Sequence, residues 1–103
     1  MNTEQFACLI IGSAGDSRSS SLEALQLAGE RKYDEAKKKL EEAEKSLLDA
    51  HREHTKLLVA DAQENSVVVT LLLAHASDHL ANAETIHDLV EQMIIILEDR
   101  DNV

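Results

Sequence analysis

The chain has 103 residues, of which 44% are hydrophobic, so it has the length of one domain and enough apolar side chains for a core. Its 20 acidic residues outnumber the 10 Lys and Arg residues, and the formal charge of −10 disfavours binding to nucleic acid or to an anionic membrane surface. One cysteine excludes an internal disulfide, and the sequence shows neither a signal peptide nor an apolar run of about 18 residues. We therefore expect a single cytoplasmic domain over residues 1–103, without insertion into a membrane.

The amino-acid usage predicts an all-α protein. Ala, Leu, Glu and Lys are abundant and favour helix, proline is absent, and only 2% of the residues are aromatic. Turn-forming residues gather at Ala28-Gly29-Glu30 and again over residues 63–66, and they divide the chain into three long helices. Small and branched aliphatic side chains suit closely packed helices, so the predicted architecture is an antiparallel three-helix bundle.

Helix 1 is expected from about Thr3 to Leu27. Its segment 12–21 is rich in Gly and Ser, which have low helix propensity, and a loop is the alternative there. We favour a continuous helix because the segment has no proline and its small side chains would let a neighbouring helix approach closely. Cys8, near the start, is interpreted as a small apolar filler.

Helix 2 is expected from about Tyr33 to Gln63. One face carries residues at alternating spacings of four and three, which is the seam of a coiled-coil-like bundle. The seam consists of Ala36, Leu40, Ala43, Leu47, Ala50, His54, Leu57 and Asp61. The position of His54 favours a paired core histidine over a catalytic one, and His51 and His87 are interpreted in the same way.

Helix 3 is expected from about Ser66 to Glu98, and it carries two adjacent stripes. The stripe assigned to the core consists of Leu72, Ala76, His79, Ala83, Ile86, Val90, Met93 and Leu97. The second stripe begins with Val67, Leu71, Ala74, Asp78 and Ala81. Since an isolated bundle needs only one core face on each helix, the second stripe predicts contact between copies of the chain.

Three titratable side chains, His75, Asp78 and His79, interrupt an apolar run in helix 3. Residues three and four apart lie on the same side of a helix, so these side chains form one local group. The spacing leaves three interpretations open: a paired polar group in a core, a metal site, or covalent group transfer on a histidine. A zinc metalloprotease is excluded, because its helical motif has Glu directly after the first His and this chain has Ala76 there.

The same cluster resembles the signature of a known family. It reads His75-Ala76-Ser77-Asp78-His79-Leu80, which is similar to the His-Ala-Gln-Asp-His-Leu signature of enzyme IIA of the lactose/cellobiose (chitobiose) class of the bacterial sugar phosphotransferase system (PTS). Three further segments resemble motifs of this family in the same order: Gly15-Asp16-Ser17-Arg18-Ser19, Glu23-Ala24-Leu25 and Ala50-His51-Arg52-Glu53-His54-Thr55-Lys56-Leu57. The resemblance covers nearly the whole chain.

The resemblance implies a three-helix bundle that assembles as a homotrimer and works as a phosphocarrier. In the family, the first histidine of the signature accepts a phosphoryl group from the phosphocarrier protein HPr. It passes the group to a cysteine of enzyme IIB, for uptake of a β-disaccharide such as cellobiose, lactose or chitobiose. His75 is expected in this role, with His79 supporting it. Asp78 is expected on the threefold axis, where three carboxylates would gather around one Mg²⁺.

Two glutamines of the family motifs are replaced in this chain. Ser77 takes the place of the glutamine in the signature, and His54 takes the place of the glutamine in the Ala-His-x-x-Gln-Thr motif. The alternative to a phosphocarrier is a helical oligomerisation or metal-binding module without enzymatic activity.

Overall fold

A computed structural model describes residues 2–65 and 67–102 and places them in three α-helices. α1 spans Thr3–Gly29, α2 spans Tyr33–Glu64 and α3 spans Leu71–Asp101. The Cα atoms extend over 56 × 19 × 19 Å, and the short connections make successive helices run antiparallel in this rod. The predicted all-α class and three-helix architecture are confirmed, and no strand occurs in the described parts of the chain.

α1 is continuous through the segment that is rich in Gly and Ser, as favoured from the sequence. Ala14, Ser17 and Ser21 are the residues of this segment that are buried in the bundle. A Cβ atom at Gly12 or Gly15 would meet nothing within 4 Å, so packing does not require a glycine at either position. The close approach of the neighbouring helices therefore depends on the alanine and the serines.

The first connection turns at a residue that the sequence did not mark. Gly29 is still helical, and Arg31 adopts the left-handed conformation with φ of 64°. The N–H groups of Arg31 and Lys32 donate to the carbonyl oxygens of Ala28 and Leu27, which satisfies the last turn of α1. The turn therefore lies just after the predicted turn residues Ala28-Gly29-Glu30, and α2 begins at Tyr33 as predicted.

The start of α3 differs from the prediction. The expected first residue, Ser66, lies outside the described residues, and α3 begins only at Leu71. The preceding residues 67–69 are valines, whose β-branched side chains lose rotamer freedom in a helix. Thr70 is extended, and its Oγ1 accepts a hydrogen bond of 3.1 Å from the N–H of Leu73. This N-cap fixes the start of α3, so that His75 lies in the second turn.

The predicted seam of α2 faces the core. Its alanines, together with Leu47 and Leu57, are buried, and Leu40 and His54 are half-buried. Asp61, the last predicted member, is exposed. The period of three and four along α2 therefore identified the buried face correctly over most of its length.

The core face of α3 is rotated from the predicted one. Ala76, Ala83 and Val90 are buried as expected, but Leu72, His79, Ile86 and Leu97 are only half-buried and Met93 is 42% exposed. The other buried positions of this helix are Leu73, Leu80, His87 and Ile94. The apolar side chains form neighbouring stripes on α3. Packing against α1 and α2 decides which of these stripes is buried in the core.

Two buried serines separate the apolar core into two clusters. Ser17 and Ser21 have no exposed surface, and their hydroxyl groups have no hydrogen-bond partner. One apolar cluster contains Ala14 and Leu80, and the other contains Ala24 and Val90. Because a buried hydroxyl without a partner loses its hydrogen bonds to water, these serines destabilise the fold.

We expect Ser21→Ala to raise the free energy of unfolding by about 1 kcal/mol, because alanine removes the unpaired hydroxyl and favours helix. Urea denaturation followed by circular dichroism measures this change. Ser19→Ala is the matched control, since Ser19 is exposed on the same helix and its replacement changes helix propensity alone. A Ser21→Ala protein no more stable than Ser19→Ala would show that the Ser21 hydroxyl is satisfied.

Candidate functional site

His75 and His79 contact each other on successive turns of α3. Their Nε2 atoms lie 3.0 Å apart, and the rings meet edge to face with centroids 4.5 Å apart. His75 is exposed, whereas His79 is half-buried. The i,i+4 spacing predicts this proximity, and the contact between the two rings on α3 confirms it.

The short distance between the two Nε2 atoms defines a hydrogen bond. One ring must donate Nε2–H and the other must offer an unprotonated Nε2, because two lone pairs or two N–H groups would repel each other. When His79 is the donor, Nε2 of His75 keeps its lone pair and the proton of His75 resides on Nδ1. In this arrangement the exposed imidazole of His75 holds an unprotonated Nε2, which can act as a nucleophile once the hydrogen bond from His79 is released.

Asp78 does not join the two histidines in a common contact. Its side chain is exposed, and within the described residues no group of three or more His, Cys, Asp or Glu side chains is placed to hold a metal ion. Asp78 lies instead on the exposed face of α3, with Leu71, Ala74 and Ala81. Leu71 is 88% exposed. The four members of the predicted second stripe that lie on α3 are thus uncovered along the single chain, whereas its first member, Val67, precedes α3 and is half-buried against the core.

The exposed face continues toward the end of α3. Because 18 residues make five turns of a helix, Leu89 and Ile96 lie above Leu71 and Asp78 respectively. Leu89 is 53% exposed and Ile96 is 62% exposed. We define the α3 outer stripe as Leu71, Ala74, Asp78, Ala81, Leu89 and Ile96.

The remaining histidines have polar partners on α3. Nε2 of His54 lies 3.4 Å from Oγ of Ser77, and Nε2 of His51 lies 3.6 Å from a carboxylate oxygen of Glu84. His87 is buried, and its Nδ1 is 3.5 Å from the carboxylate of Asp88. The contact between His54 and Ser77 could not be read from the sequence, because it depends on how α2 pairs with α3.

A pocket of about 160 Å³ opens beside the contact between His54 and Ser77. It lies between the end of α2, the connection and the first turns of α3. Its lining consists of His54, Leu57, Leu58, Asp61, Val67, Val69, Leu73, Ala74 and Ser77. On the other side of α3, Leu71 and Leu72 border His75 at a shallow opening. The surface on the N-terminal side of His75 along α3 is therefore apolar.

No helix in the part of the chain that the structure describes combines the length and apolar character needed to span a bilayer. This agrees with the absence of a long apolar run in the sequence.

Comparison with known proteins identifies the family. Residues 5–98 match the family model described as "PTS system, Lactose/Cellobiose specific IIA subunit". The lichenan-specific phosphotransferase enzyme IIA component of Bacillus subtilis (strain 168) is 39% identical over 95 residues, which cover 92% of this chain and 86% of the relative. A lactose-specific EIIA component of the PTS from Streptococcus mutans is 36% identical over 97 residues, covering 91% of this chain and 93% of the relative.

The fold leads to the same family. The crystal structure of the PTS cellobiose-specific enzyme IIA from Bacillus anthracis superposes with a TM-score of 0.93 and 32% sequence identity, covering 99% of this chain and 94% of that chain. These matches extend over all three helices, so a helical module without a transfer function is not favoured. The chain belongs to the lactose/cellobiose-specific IIA family of the PTS and is a phosphocarrier component of sugar uptake.

Proposed function

We propose that this chain carries the phosphoryl group on His75, receiving it from HPr and passing it to a cysteine of enzyme IIB. The observation that supports this assignment most strongly is the exposed imidazole of His75, whose Nε2 lies 3.0 Å from Nε2 of His79. The other four histidines are each less exposed than His75. A docking phosphocarrier reaches His75 without displacing a helix.

The transfer conserves atoms and charge in both steps. The lone pair of neutral His75 attacks phosphorus, the P–N bond to the histidine of HPr breaks, and its electron pair returns to the ring of the donor. His75 keeps its proton on Nδ1, so its phosphorylated ring carries the one positive charge that the donor ring loses. In the second step, the thiolate of IIB attacks phosphorus and the P–N bond to His75 breaks. His75 then returns to its neutral state, so the chain is a stoichiometric carrier.

His79 supports His75 in this mechanism. Before transfer, its Nε2–H donates to the lone pair on Nε2 of His75, and this hydrogen bond is released when that lone pair attacks phosphorus. After transfer to that nitrogen, the same N–H donates to an oxygen of the phosphoryl group, which forms a charge-assisted hydrogen bond. The apolar side chains of Leu71 and Leu72 limit access of water to the labile P–N bond.

We expect His79→Ala to slow phosphorylation of His75 by about 10- to 100-fold, because it removes the donor to a charged group. Rapid-quench measurement of phosphoryl incorporation from phosphorylated HPr gives this rate. His79→Gln retains an N–H donor and is expected to recover part of it. Equal rates for His79→Ala and the unchanged protein would rule out this role.

The sugar does not bind to this chain in the proposed function. The relatives are described as specific for lichenan and lactose, and the structural neighbour as specific for cellobiose. We infer that the final acceptor is a β-disaccharide of the cellobiose, lactose or chitobiose type, which the membrane component of the system selects.

We further propose that three copies assemble through the α3 outer stripe. Five of its six residues are apolar and all six are exposed over about seven helical turns, although packing within a single bundle does not require an apolar surface there. A threefold axis along the stripe brings three Asp78 side chains together. Each chain supplies one carboxylate, so three chains together offer the oxygen ligands that a divalent cation prefers, whereas residues 2–65 and 67–102 of one chain hold no such group. Mg²⁺ held by Asp78 would neutralise the three carboxylates.

Reconstitution tests the proposed function as a whole. Incubation with phosphoenolpyruvate, enzyme I and HPr should add one acid-labile phosphoryl group to the chain, and addition of IIB should remove it. Intact-mass measurement at alkaline pH follows both steps. A chain that gains no phosphoryl group under conditions that phosphorylate HPr would contradict the proposal.

A further inference from the structure

We propose that His54 is a positioning residue for phosphoryl transfer, which acts through Ser77 to hold the first turns of α3 against α2. This inference rests on the proposed function of His75. It gives a role to a histidine of α2 that does not touch the reacting imidazole.

The contact joins α2 to the turn that contains His75. Nε2 of His54 lies 3.4 Å from Oγ of Ser77, and both side chains are half-buried. Ser77 follows His75 by two residues, so the two side chains point about 200° apart around α3. His54 therefore acts through the backbone of α3, because a shift of Ser77 carries His75 with it.

This contact is the last of a series between the two helices. Counted from the far end of the bundle, the polar contacts are Tyr33 with Asp101, Lys37 with Glu98 at 2.8 Å, His51 with Glu84 at 3.6 Å and His54 with Ser77 at 3.4 Å. Within residues 2–65 and 67–102, no other polar side-chain contact joins α2 to α3 closer to the start of α3. The turn of His75 thus has one polar restraint from α2.

Packing beyond the contact is incomplete. The pocket of about 160 Å³ separates the last turns of α2 from the first turns of α3, between Leu58 and Asp61 on one side and Val69 and Ala74 on the other. This pocket is open to solvent, so the side chains on its walls pack less closely than those of the core. The hydrogen bond beside it therefore contributes more to the position of α3 than the same bond would in a packed interface.

The two partners are also the two positions at which the chain departs from the motifs that it resembles. Both motifs carry glutamine, and this chain carries His54 and Ser77, whose side chains contact each other. The imidazole and the short hydroxyl are complementary, because the hydroxyl can donate to a neutral ring nitrogen or accept from an N–H. We infer that the two replacements act as one unit.

A double-mutant cycle tests this inference. The variants are His54→Ala, Ser77→Ala and the double variant, and the measured quantity is the single-turnover rate of phosphorylation at saturating phosphorylated HPr. Each single variant is expected to lower this rate by about 3- to 10-fold, which corresponds to one neutral hydrogen bond. The double variant is expected to be no slower than either single variant, since both remove the same contact.

Three further readouts separate positioning from a merely structural role. The HPr concentration that gives half the maximal rate should stay unchanged, because His54 does not contact the donor. His54→Gln retains a side-chain amide near the position of Nε2 and should recover most of the rate. His51→Ala is the matched control on α2, since its partner is the carboxylate of Glu84, and it should transfer at the unchanged rate.

The outcomes distinguish this inference from the proposed function. If phosphorylated HPr does not phosphorylate the unchanged protein, the proposed function itself is wrong. A normally phosphorylated protein whose His54→Ala variant transfers at the same rate, or whose single effects multiply in the double variant, would overturn only the positioning role. If His54→Ala loses helical signal, Ser77→Ala decides the matter, because it removes one hydroxyl from a half-buried position.

Discussion

Replacement of His75 by alanine is expected to abolish phosphorylation of the chain by HPr. The imidazole of His75 supplies the only lone pair that the proposed transfer uses, so no partial activity should remain. The variant should keep its fold, because His75 is exposed and alanine favours helix. Incorporation of acid-labile phosphate after incubation with phosphoenolpyruvate, enzyme I and HPr measures the effect, and circular dichroism checks the helical signal.

His87→Ala and His51→Ala are the controls for this experiment. Both positions carry histidines with carboxylate neighbours on α3, and neither lies next to His75. His51→Ala should be phosphorylated fully. His87 is buried, so its replacement is expected to lower stability while transfer at low temperature persists. An acid-labile phosphoryl group on the His75→Ala protein would mean that another residue is the acceptor.

Replacement of Asp78 by leucine is expected to remove the dependence of the trimer on a divalent cation. Two unit charges about 4 Å apart repel by about 1 kcal/mol in water and by about 4 kcal/mol near a protein surface, and three carboxylates on an axis form three such pairs. A chelator or removal of Mg²⁺ should therefore dissociate the unchanged protein. Leucine converts the charged cluster into packed hydrocarbon, so the Asp78→Leu trimer should persist with or without chelator.

Light scattering coupled to size-exclusion chromatography measures the mass of the assembly in each condition. Asp49→Leu is the matched control, because Asp49 is an exposed acid of α2 whose polar side-chain partner is Arg52. This variant should dissociate with chelator as the unchanged protein does. A monomeric unchanged protein at high concentration, or an Asp78→Leu protein that dissociates more readily, would contradict both the trimer and the axial position of Asp78.

The sequence predicts the course of a helix and its buried face well where these depend on residues of that helix alone. The seam of α2 follows from its period, and α1 continues through its Gly and Ser residues because no proline breaks it. The predicted start of α3 is too early, since the valines at 67–69 continue the apolar pattern of the helix while their branched side chains disfavour helical backbone. The N-cap at Thr70 sets the boundary, and the apolar residues around this threonine hide its capping role in the sequence.

The core register of α3 could not be predicted from α3 alone. Both Leu72 and Leu73 continue an apolar stripe, and so do Met93 and Ile94. The structure buries Leu73 and Leu80 in one cluster with Ala14 of α1 and Ala50 of α2, so the register depends on packing between helices.

The candidate site also has features that follow from one helix and features that depend on the pairing of two helices. The proximity of His75 and His79 follows from their spacing on one helix, and the exposure of Asp78 follows from the second stripe. The pairing of His54 with Ser77 needs the relative position of two helices, which no local pattern contains. The spacing alone leaves a polar core, a metal site and covalent transfer open, and the resemblance to the family supplies the chemistry of phosphoryl transfer.

Location of the phosphoryl group by fragment mass spectrometry tests the central claim most directly. The unchanged protein is phosphorylated through HPr, kept at alkaline pH to preserve the P–N bond, and fragmented by electron transfer, which cleaves the backbone and leaves the modification in place. The added mass is expected to appear first between the fragments that end at Ala74 and at His75. Its appearance at His79, at His54 or at any other residue would show that His75 is not the acceptor.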